Sequence, residues 1–154
     1  MGKLRDSSIL FYADEKYNSI FDVFTKGETK LTIDLKELFV LAATIGFKNT
    51  KRIKQGAKGK EIRAAYLTHS EEELFLSMLL NDREIKNDIE VLESMLSSLD
   101  GKKIIEEYIN GGLELIATKA FSDNWDGYNI NSNYQHYHYD LARFILSEVK
   151  KVPF

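Results

Sequence analysis

Helical periodicity runs through most of this chain without interruption. The only proline is Pro153, so no proline can break a helix before the last two residues. Apolar residues recur at three- and four-residue spacing in several segments, which is typical of helices that bury one face. The sequence therefore predicts a mainly α domain of about six helices, with room for a short strand or hairpin between residues 30 and 68.

Several helix ends can be predicted from individual residues. Asp34 is a suitable N-cap for a helix over 35–45, and that helix is apolar on most sides, which predicts deep burial. Gly46 follows and would end the helix in a left-handed conformation. Ser70 begins a capping-box pattern, and Asp100 would cap a later helix.

Three other apolar stripes complete the predicted core. One belongs to a helix over 14–24, and the last belongs to a helix over 135–150. The last helix would turn these residues inward: Leu141, Phe144, Ile145 and Val149. The middle stripe consists of Ile85, Ile89, Leu92, Met95, Leu96 and Leu99.

Length and composition restrict the class of protein. A chain of 154 residues is expected to form one domain, 1–154, with a sizeable buried core. The absence of cysteine excludes disulfides and thiolate metal sites. No apolar run approaches the length of a membrane span, and the run from Ile9 to Ala13 is too short for a signal peptide. We therefore expect a cytoplasmic protein that does not enter a membrane.

Charge is distributed unevenly although the formal net charge is only -3. Seven basic residues lie in the segment 47–63, against Glu61 alone: Lys48, Lys51, Arg52, Lys54, Lys58, Lys60 and Arg63. The segment 71–93 carries eight acidic residues against Arg83 and Lys86. This asymmetry indicates either two separate partner surfaces or mutual neutralisation within one fold.

The basic residues fall mainly on a predicted polar loop, 47–60, which contains Gly56 and Gly59. Lysine and arginine side chains on such a loop can neutralise phosphates, which makes it a candidate for nucleic-acid contact. The loop lacks the residue order of a phosphate-binding P-loop, and only Phe47 and Tyr66 offer aromatic rings nearby. The alternative is a solvated loop, or one that pairs with an acidic face.

Two glycines interrupt a strongly periodic helix in YINGGLELI, residues 108–116. Gly111 and Gly112 together cost about 1–2 kcal/mol of helix stability relative to alanine, so another interaction must offset this cost. Close approach of another helix is the favoured interpretation, and a kink or a binding surface is the alternative.

The segment SDNWDGYNIN, residues 122–131, combines a turn with two aromatic side chains. Asp126-Gly127 is a strong turn signal, and Trp125 and Tyr128 flank it. The favoured interpretation is a turn that its aromatics anchor to the core. An exposed Trp125 would instead be an interface anchor.

The histidines of HYHYD, residues 136–140, are the only candidates for metal chemistry. His136 and His138 are two positions apart, so on a helix they diverge and would not share a metal with Asp140, whereas in an extended segment they could converge. No Ser/His/Asp constellation can be assembled. A small metal-dependent nuclease or nucleotide-processing enzyme that uses carboxylates and one of these histidines is therefore the alternative hypothesis, and no cofactor or metal site is predicted.

Two segments together resemble a known family. LFVLAATIGFKNTKR (38–52) is an apolar helix that ends in Gly46-Phe47 and a basic run, and IIEEYINGGLELI (104–116) carries an E-E-Y-x-N-G-G-L-like pattern. This combination resembles the small proteins associated with bacterial DNA phosphorothioation (Dnd) gene clusters. The section from Trp125 to Phe154 lies outside the resemblance.

The resemblance implies a protein of antiphage defence that acts with DNA. Such clusters, and related systems such as Lamassu, combine an SMC-like ATPase and a nuclease with small helical accessory proteins. The leading hypothesis is therefore a non-catalytic accessory subunit. Its basic loop would contact DNA or an acidic partner, and its acidic segment 71–93 would face another subunit, such as the ATPase or the nuclease.

Overall fold

The architecture is mainly α, as predicted. The computed structural model describes residues 4–25 and 33–150, and this part of the chain contains six α-helices and one two-stranded sheet. The elements are β1 (Leu10–Asp14), α1 (Asn18–Thr25), α2 (Leu35–Lys48), β2 (Lys58–Arg63), α3 (His69–Leu80), α4 (Ile89–Ser97), α5 (Asp100–Leu115) and α6 (Tyr137–Lys150). Helix α5 continues into a π-helical turn, Ile116–Ala120.

The sheet joins the start of the chain to its middle. Strand β1 pairs antiparallel with β2, and Phe11 lies opposite Ile62. The predicted window 30–68 therefore contains one strand but no hairpin, because the partner strand precedes α1; residues 30–32 lie outside the described part. The helix predicted over 14–24 begins only at Asn18, since Asp14 ends β1 and caps a short 3-10 turn instead.

Helices α2 and α5 form the centre of the core. Both are buried along most of their length, as the apolar pattern of 35–45 predicts for α2. The prediction that Gly46 ends α2 is wrong, because the helix continues to Lys48 and Asn49 is its C-cap. Gly46 instead faces α5, and a Cβ atom there would lie 2.0 Å from the carbonyl oxygen of Tyr108.

The helix starts were predicted with mixed success. Asp34 caps α2 through a hydrogen bond from the backbone N–H of Lys36, as predicted. The capping box of α3 is formed by Thr68 and Glu71, so the prediction that it begins at Ser70 is wrong. Asp100 is the first residue of α5 rather than its cap, and its carboxylate accepts a hydrogen bond from Ser98 Oγ.

Two predicted apolar stripes face the core only in part. On α6, Leu141 and Phe144 are buried, but Val149 is exposed, so the prediction that Val149 points inward is wrong. Of the stripe predicted over 85–99, only Ile85 is buried, and both Ile89 and Leu99 are exposed. Every helix in the described part of the chain is too short or too polar to cross a lipid bilayer.

Candidate nucleic-acid and partner interface

The basic loop is an ordered segment with several attachments to the core. Since α2 continues to Lys48 and β2 begins at Lys58, the irregular part comprises residues 49–57, here called the basic loop. The N–H of Ile53 donates to the carbonyl oxygen of Glu107 (3.0 Å), and the N–H of Gly56 donates to Asp14 Oδ2 (2.8 Å). The backbone of the loop is thus fixed against α5 on one side and β1 on the other.

Asn110 links the basic loop to β1 through both ends of its side-chain amide. Its Oδ1 accepts from the N–H of Asp14 (2.9 Å), and its Nδ2 donates to Gln55 Oε1 (2.7 Å). One turn earlier in α5, Glu106 Oε2 accepts from the N–H of Tyr12 (2.7 Å). Side chains of α5 therefore accept hydrogen bonds from backbone N–H groups of β1 that do not bond to β2. No third strand is needed at this edge of the sheet.

The two adjacent glycines allow the chain to approach α5 closely. A Cβ atom on Gly112 would lie 1.7 Å from the carbonyl oxygen of Ala42 in α2. A Cβ atom on Gly111 would lie 1.9 Å from the carbonyl oxygen of Lys51, at the start of the basic loop. The structure thus shows close approach at both positions, by a helix at Gly112 and by the loop at Gly111.

Arg52 is the one basic residue of the segment that is largely enclosed in the protein. Its side chain is 9% exposed, and its Nη1 donates to both carboxylate oxygens of Asp82 and lies 2.6 Å from Glu84 Oε2. Its Nε donates to Glu107 Oε1 (3.1 Å). Burial tends to lower the pKa of Arg52, but the bond to Glu84 and the charges of Asp82 and Glu107 raise it overall. Around Arg52, charges of the basic segment 47–63 and of the acidic segment 71–93 therefore neutralise each other within the fold.

Tyr108 completes this buried cluster from α5. Its hydroxyl donates a hydrogen bond to Asp82, and its ring stacks edge-on against Phe47. Burial and the hydrogen bond to Asp82 raise the pKa of Tyr108 well above its usual range. Arg52, Asp82 and Tyr108 therefore connect the basic loop, the turn after α3 and α5.

The other basic residues of the segment have a different environment. Lys60 pairs with Asp22 of α1 (3.0 Å). Five cations form no ion pair with the described residues: Lys48, Lys51, Lys54, Lys58 and Arg63. All are exposed except Lys51, which is half-buried. Their charge is therefore available to a partner on the loop and on the adjoining ends of α2 and β2.

One aromatic ring lies between two lysines beside the basic loop. Lys58 Nζ is 4.7 Å from the ring centre of Tyr12, and Lys102 Nζ of α5 is 5.2 Å from the same ring centre. Lys102 also pairs with Glu106 (3.1 Å). Neither Tyr12 nor Lys102 was predicted from the sequence, because they lie about 40 residues or more from the loop and only the fold brings them there.

Trp125 and Tyr128 border a turn that packs on the 3-10 turn before α1. The Trp125 ring is half-buried and stacks on Tyr17 with 6.1 Å between ring centres. Tyr128 is exposed, and its hydroxyl donates to Glu15 Oε1 (2.8 Å). Gly127 has a φ of 102°, as the Asp-Gly turn signal requires.

The two histidines do not converge on a common point. His136 precedes α6 and contacts the ring of Tyr134, while His138 lies in the first turn of α6 against Phe24. Asp140 accepts a hydrogen bond from the hydroxyl of Tyr134 (2.6 Å). In residues 4–25 and 33–150, no three His, Asp or Glu side chains are grouped as metal ligands would be.

Comparison with known protein families links this chain to one of them. The family model of DNA sulphur modification system-associated protein 4 matches residues 13–130, which include the basic loop, the Arg52 cluster and the glycine pair. The chain belongs to this family. The expected association with DNA phosphorothioation systems is thereby confirmed, while searches of curated proteins and of solved structures gave no match.

Family membership gives a context for the E-E-Y-x-N-G-G pattern. In this sulphur modification system-associated protein, Glu106, Tyr108 and Asn110 bind β1, the turn after α3 and the basic loop. The two glycines that follow allow α2 and the loop to approach. The residues of this pattern therefore hold the basic loop and β1 against α5.

Proposed function

We propose that this protein is a non-catalytic accessory subunit of an antiphage complex built around DNA sulphur modification. In this proposal, the basic loop and its neighbouring cations contact the DNA backbone, and other surfaces contact a protein of the complex, such as an SMC-like ATPase or a nuclease. The association with a DNA sulphur modification system follows from the family. The role as a subunit and the contact with DNA are the proposed part.

The observation that carries the DNA contact is a set of exposed cations without ion pairs on the basic loop and on the adjoining elements α2 and β2. Lys48, Lys54, Lys58 and Arg63 are exposed and form no ion pair with the described residues. Because the loop is fixed by Ile53, Gln55 and Gly56, less conformational entropy is lost when it binds. Each phosphate that these side chains neutralise would release counterions and favour binding.

The geometry favours contact with the backbone over recognition of bases. The basic loop is neither a helix nor a ribbon that would enter the major groove, and three of the four exposed cations are lysines, which carry a point charge on a flexible stem. Tyr12, between Lys58 and Lys102, is an aromatic ring that a base or sugar could contact. We therefore expect DNA affinity that varies little with sequence and falls steeply with salt.

A charge-reversal experiment tests the proposal. The double variant Lys54→Glu/Lys58→Glu leaves Arg52 in place, so the buried cluster stays intact. We expect it to bind a duplex of about 30 base pairs at least ~10-fold more weakly than wild type in fluorescence anisotropy. The slope of log affinity against log salt should also become shallower. Duplexes with and without a phosphorothioate linkage would show whether the modification itself is recognised.

The matched control is Lys119→Glu/Lys150→Glu, which makes the same change of charge at two exposed lysines outside the basic segment. It should retain most of the affinity. Equal binding by the loop variant and wild type at moderate salt, with both proteins folded, would refute the DNA contact. Equal losses in both double variants would show that only net charge matters and that the loop has no special role.

A further inference from the structure

Helix α4 differs from the other helices in how little of it is buried. Each of the other five α-helices of the described chain has at least three buried residues, whereas α4 has none. Its side chains are nevertheless largely apolar, as its sequence IEVLESMLS shows. A helix with this composition normally gains its stability by burying an apolar face.

The apolar residues of α4 are covered only in part by the rest of the protein. Ile89, Leu92 and Leu96 follow one another at spacings of three and four, so they lie along one side of α4, and Leu99 follows shortly after the end of the helix at Ser97. Leu92 and Leu96 are half-buried and pack against the core, whereas Ile89 is 64% exposed and Leu99 is 60% exposed. Both ends of the α4 segment therefore present large apolar side chains to solvent.

The charged residues within the α4 segment are all acidic. Residues 87–100 contain Asp88, Glu90, Glu93 and Asp100 and no lysine or arginine. Asp88 accepts hydrogen bonds from the N–H groups of Glu90 and Val91 and so fixes the start of the helix. A partner surface that covers the apolar residues of α4 would therefore meet an acidic border, which favours lysine and arginine at its own edges.

The turn before α4 holds the helix in a defined orientation. Lys86 and Asn87 both have positive φ values, 54° and 62°, and the left-handed conformation is unfavourable for a lysine. The turn is kept in place by Asp82, whose carbonyl oxygen accepts from the N–H groups of Ile85 and Lys86. Because Asp82 also binds Arg52 and Tyr108, the orientation of α4 depends on the buried cluster.

We infer that α4 is the docking surface for an amphipathic helix of a protein partner, whose apolar side is bordered by lysine or arginine. This inference rests on the protein-partner part of the proposed function and gives that partner its chemistry. DNA does not fit this surface, because the phosphates would face acidic side chains. A second copy fits poorly as well, since a two-fold pairing of α4 with itself would bring like charges together.

The test uses the full chain and the purified proteins encoded in the same DNA sulphur modification gene cluster, assayed one at a time by biolayer interferometry. The variant Ile89→Glu/Leu99→Glu changes two exposed residues, so the fold should be retained, which circular dichroism can verify. We expect it to lose at least ~10-fold in affinity for the partner, because hot-spot contacts of apolar side chains contribute this much. Glu90→Lys should weaken binding in a salt-dependent manner.

Leu146→Glu on α6 is the matched control, since Leu146 is an exposed leucine (54%) outside the α4 surface. It should leave the affinity unchanged. If a partner binds wild type and the α4 variant equally well, the docking surface is wrong while the accessory-subunit proposal stands. If no protein of the cluster binds, both fail, and DNA binding by the basic loop is judged separately. A wild-type dimer in analytical ultracentrifugation that only the α4 variant disrupts would assign the surface to a second copy.

Discussion

Arg52 donates from one nitrogen, Nη1, to both carboxylate oxygens of Asp82, at 3.2 and 3.0 Å. This contact joins the basic loop to the turn that precedes α4, so the two surfaces proposed for DNA and for protein are attached to each other. Two of the three carboxylates around Arg52 come from the acidic segment 71–93 and the third, Glu107, comes from α5. Arg52 is therefore part of the framework that positions both surfaces.

Replacement of Arg52 by alanine should destabilise the fold strongly. Asp82 would remain buried without its charged partner, and loss of one member of a buried ion pair costs about 3–5 kcal/mol. Arg52→Lys should recover only part of this, because one ammonium group cannot reproduce the planar contacts with Asp82, Glu84 and Glu107. Urea denaturation followed by circular dichroism would measure the free energy of unfolding.

Lys54→Ala is the control for this prediction, since Lys54 is an exposed residue of the same loop. It should change the free energy of unfolding by no more than about 0.5 kcal/mol. Similar effects of the two alanine variants would contradict the structural role of Arg52. Charge reversals designed to probe DNA binding should accordingly avoid Arg52, because their effect would include a loss of folding.

Gly112→Ala should destabilise the protein even though alanine favours helix. The added Cβ atom would lie 1.7 Å from the carbonyl oxygen of Ala42, so α2 and α5 would have to move apart. Overpacking of a core typically costs about 1–3 kcal/mol, and a clash with backbone should reach at least the upper end of this range. Thermal unfolding of wild type and variant measures the difference.

Gly101→Ala in the same helix provides the comparison. A Cβ atom at Gly101 would lie 3.2 Å from the carbonyl oxygen of Met95, which a small shift can accommodate. The gain in helix propensity, up to about 1 kcal/mol, should then offset most of the cost. A Gly112→Ala variant as stable as Gly101→Ala would show that α2 and α5 do not approach as closely as described.

The sequence predicted the helices well because their signals are local. Asp34 and the apolar pattern after it were sufficient to locate α2, and Gly111-Gly112 indicated that something approaches α5. Gly46 was misassigned because a glycine at a close helix contact and a glycine at a helix end look alike in a sequence. Only the position of α5 distinguishes the two.

The candidate site was less predictable because its contacts are distant in the chain. The sequence named all seven basic residues as candidates. Their charges alone do not show that Arg52 binds Asp82, 30 positions away, and Glu107, 55 positions away. Lys102 and Tyr12 were missed for the same reason. Val149 and Ile89 fit apolar stripes yet are exposed, since periodicity shows that a helix has an apolar side but not whether the chain itself covers it.

Tyr108 should make the protein less stable at alkaline pH. Burial, and then the hydrogen bond to Asp82, raises its pKa in the folded state above the ordinary value of 10.0. The folded protein therefore keeps a proton that the unfolded chain loses, so the stabilisation is complete below about pH 10 and declines above it, by about 1.4 kcal/mol per pH unit for one such group. Unfolding in urea at a series of pH values would measure this decline.

Tyr108→Phe should make the alkaline decline shallower. Some decline should remain, because burial also raises the pKa of Tyr17, whose hydroxyl donates to Glu114. At neutral pH the same variant should be less stable by about 1.5–3 kcal/mol, since Asp82 loses a donor to its charged carboxylate. Parallel curves for wild type and Tyr108→Phe above pH 10 would contradict the raised pKa of Tyr108.

Asn110 should determine how well the basic loop is ordered. Asn110→Ala removes the acceptor of the Asp14 N–H and the donor to Gln55, and a buried unsatisfied N–H costs about 1–3 kcal/mol. Hydrogen exchange should then accelerate at the amides of Ile53 and Gly56, which the ordered loop protects. Asn133→Ala, which changes an exposed asparagine with no side-chain hydrogen bond in the described structure, should leave both amides protected.

Because a disordered loop must be ordered before it binds, Asn110→Ala should also weaken DNA binding although it removes no charge. Faster exchange with unchanged DNA affinity would show that the lysines act without a preformed loop, whereas unchanged exchange would show that Asn110 does not hold the loop.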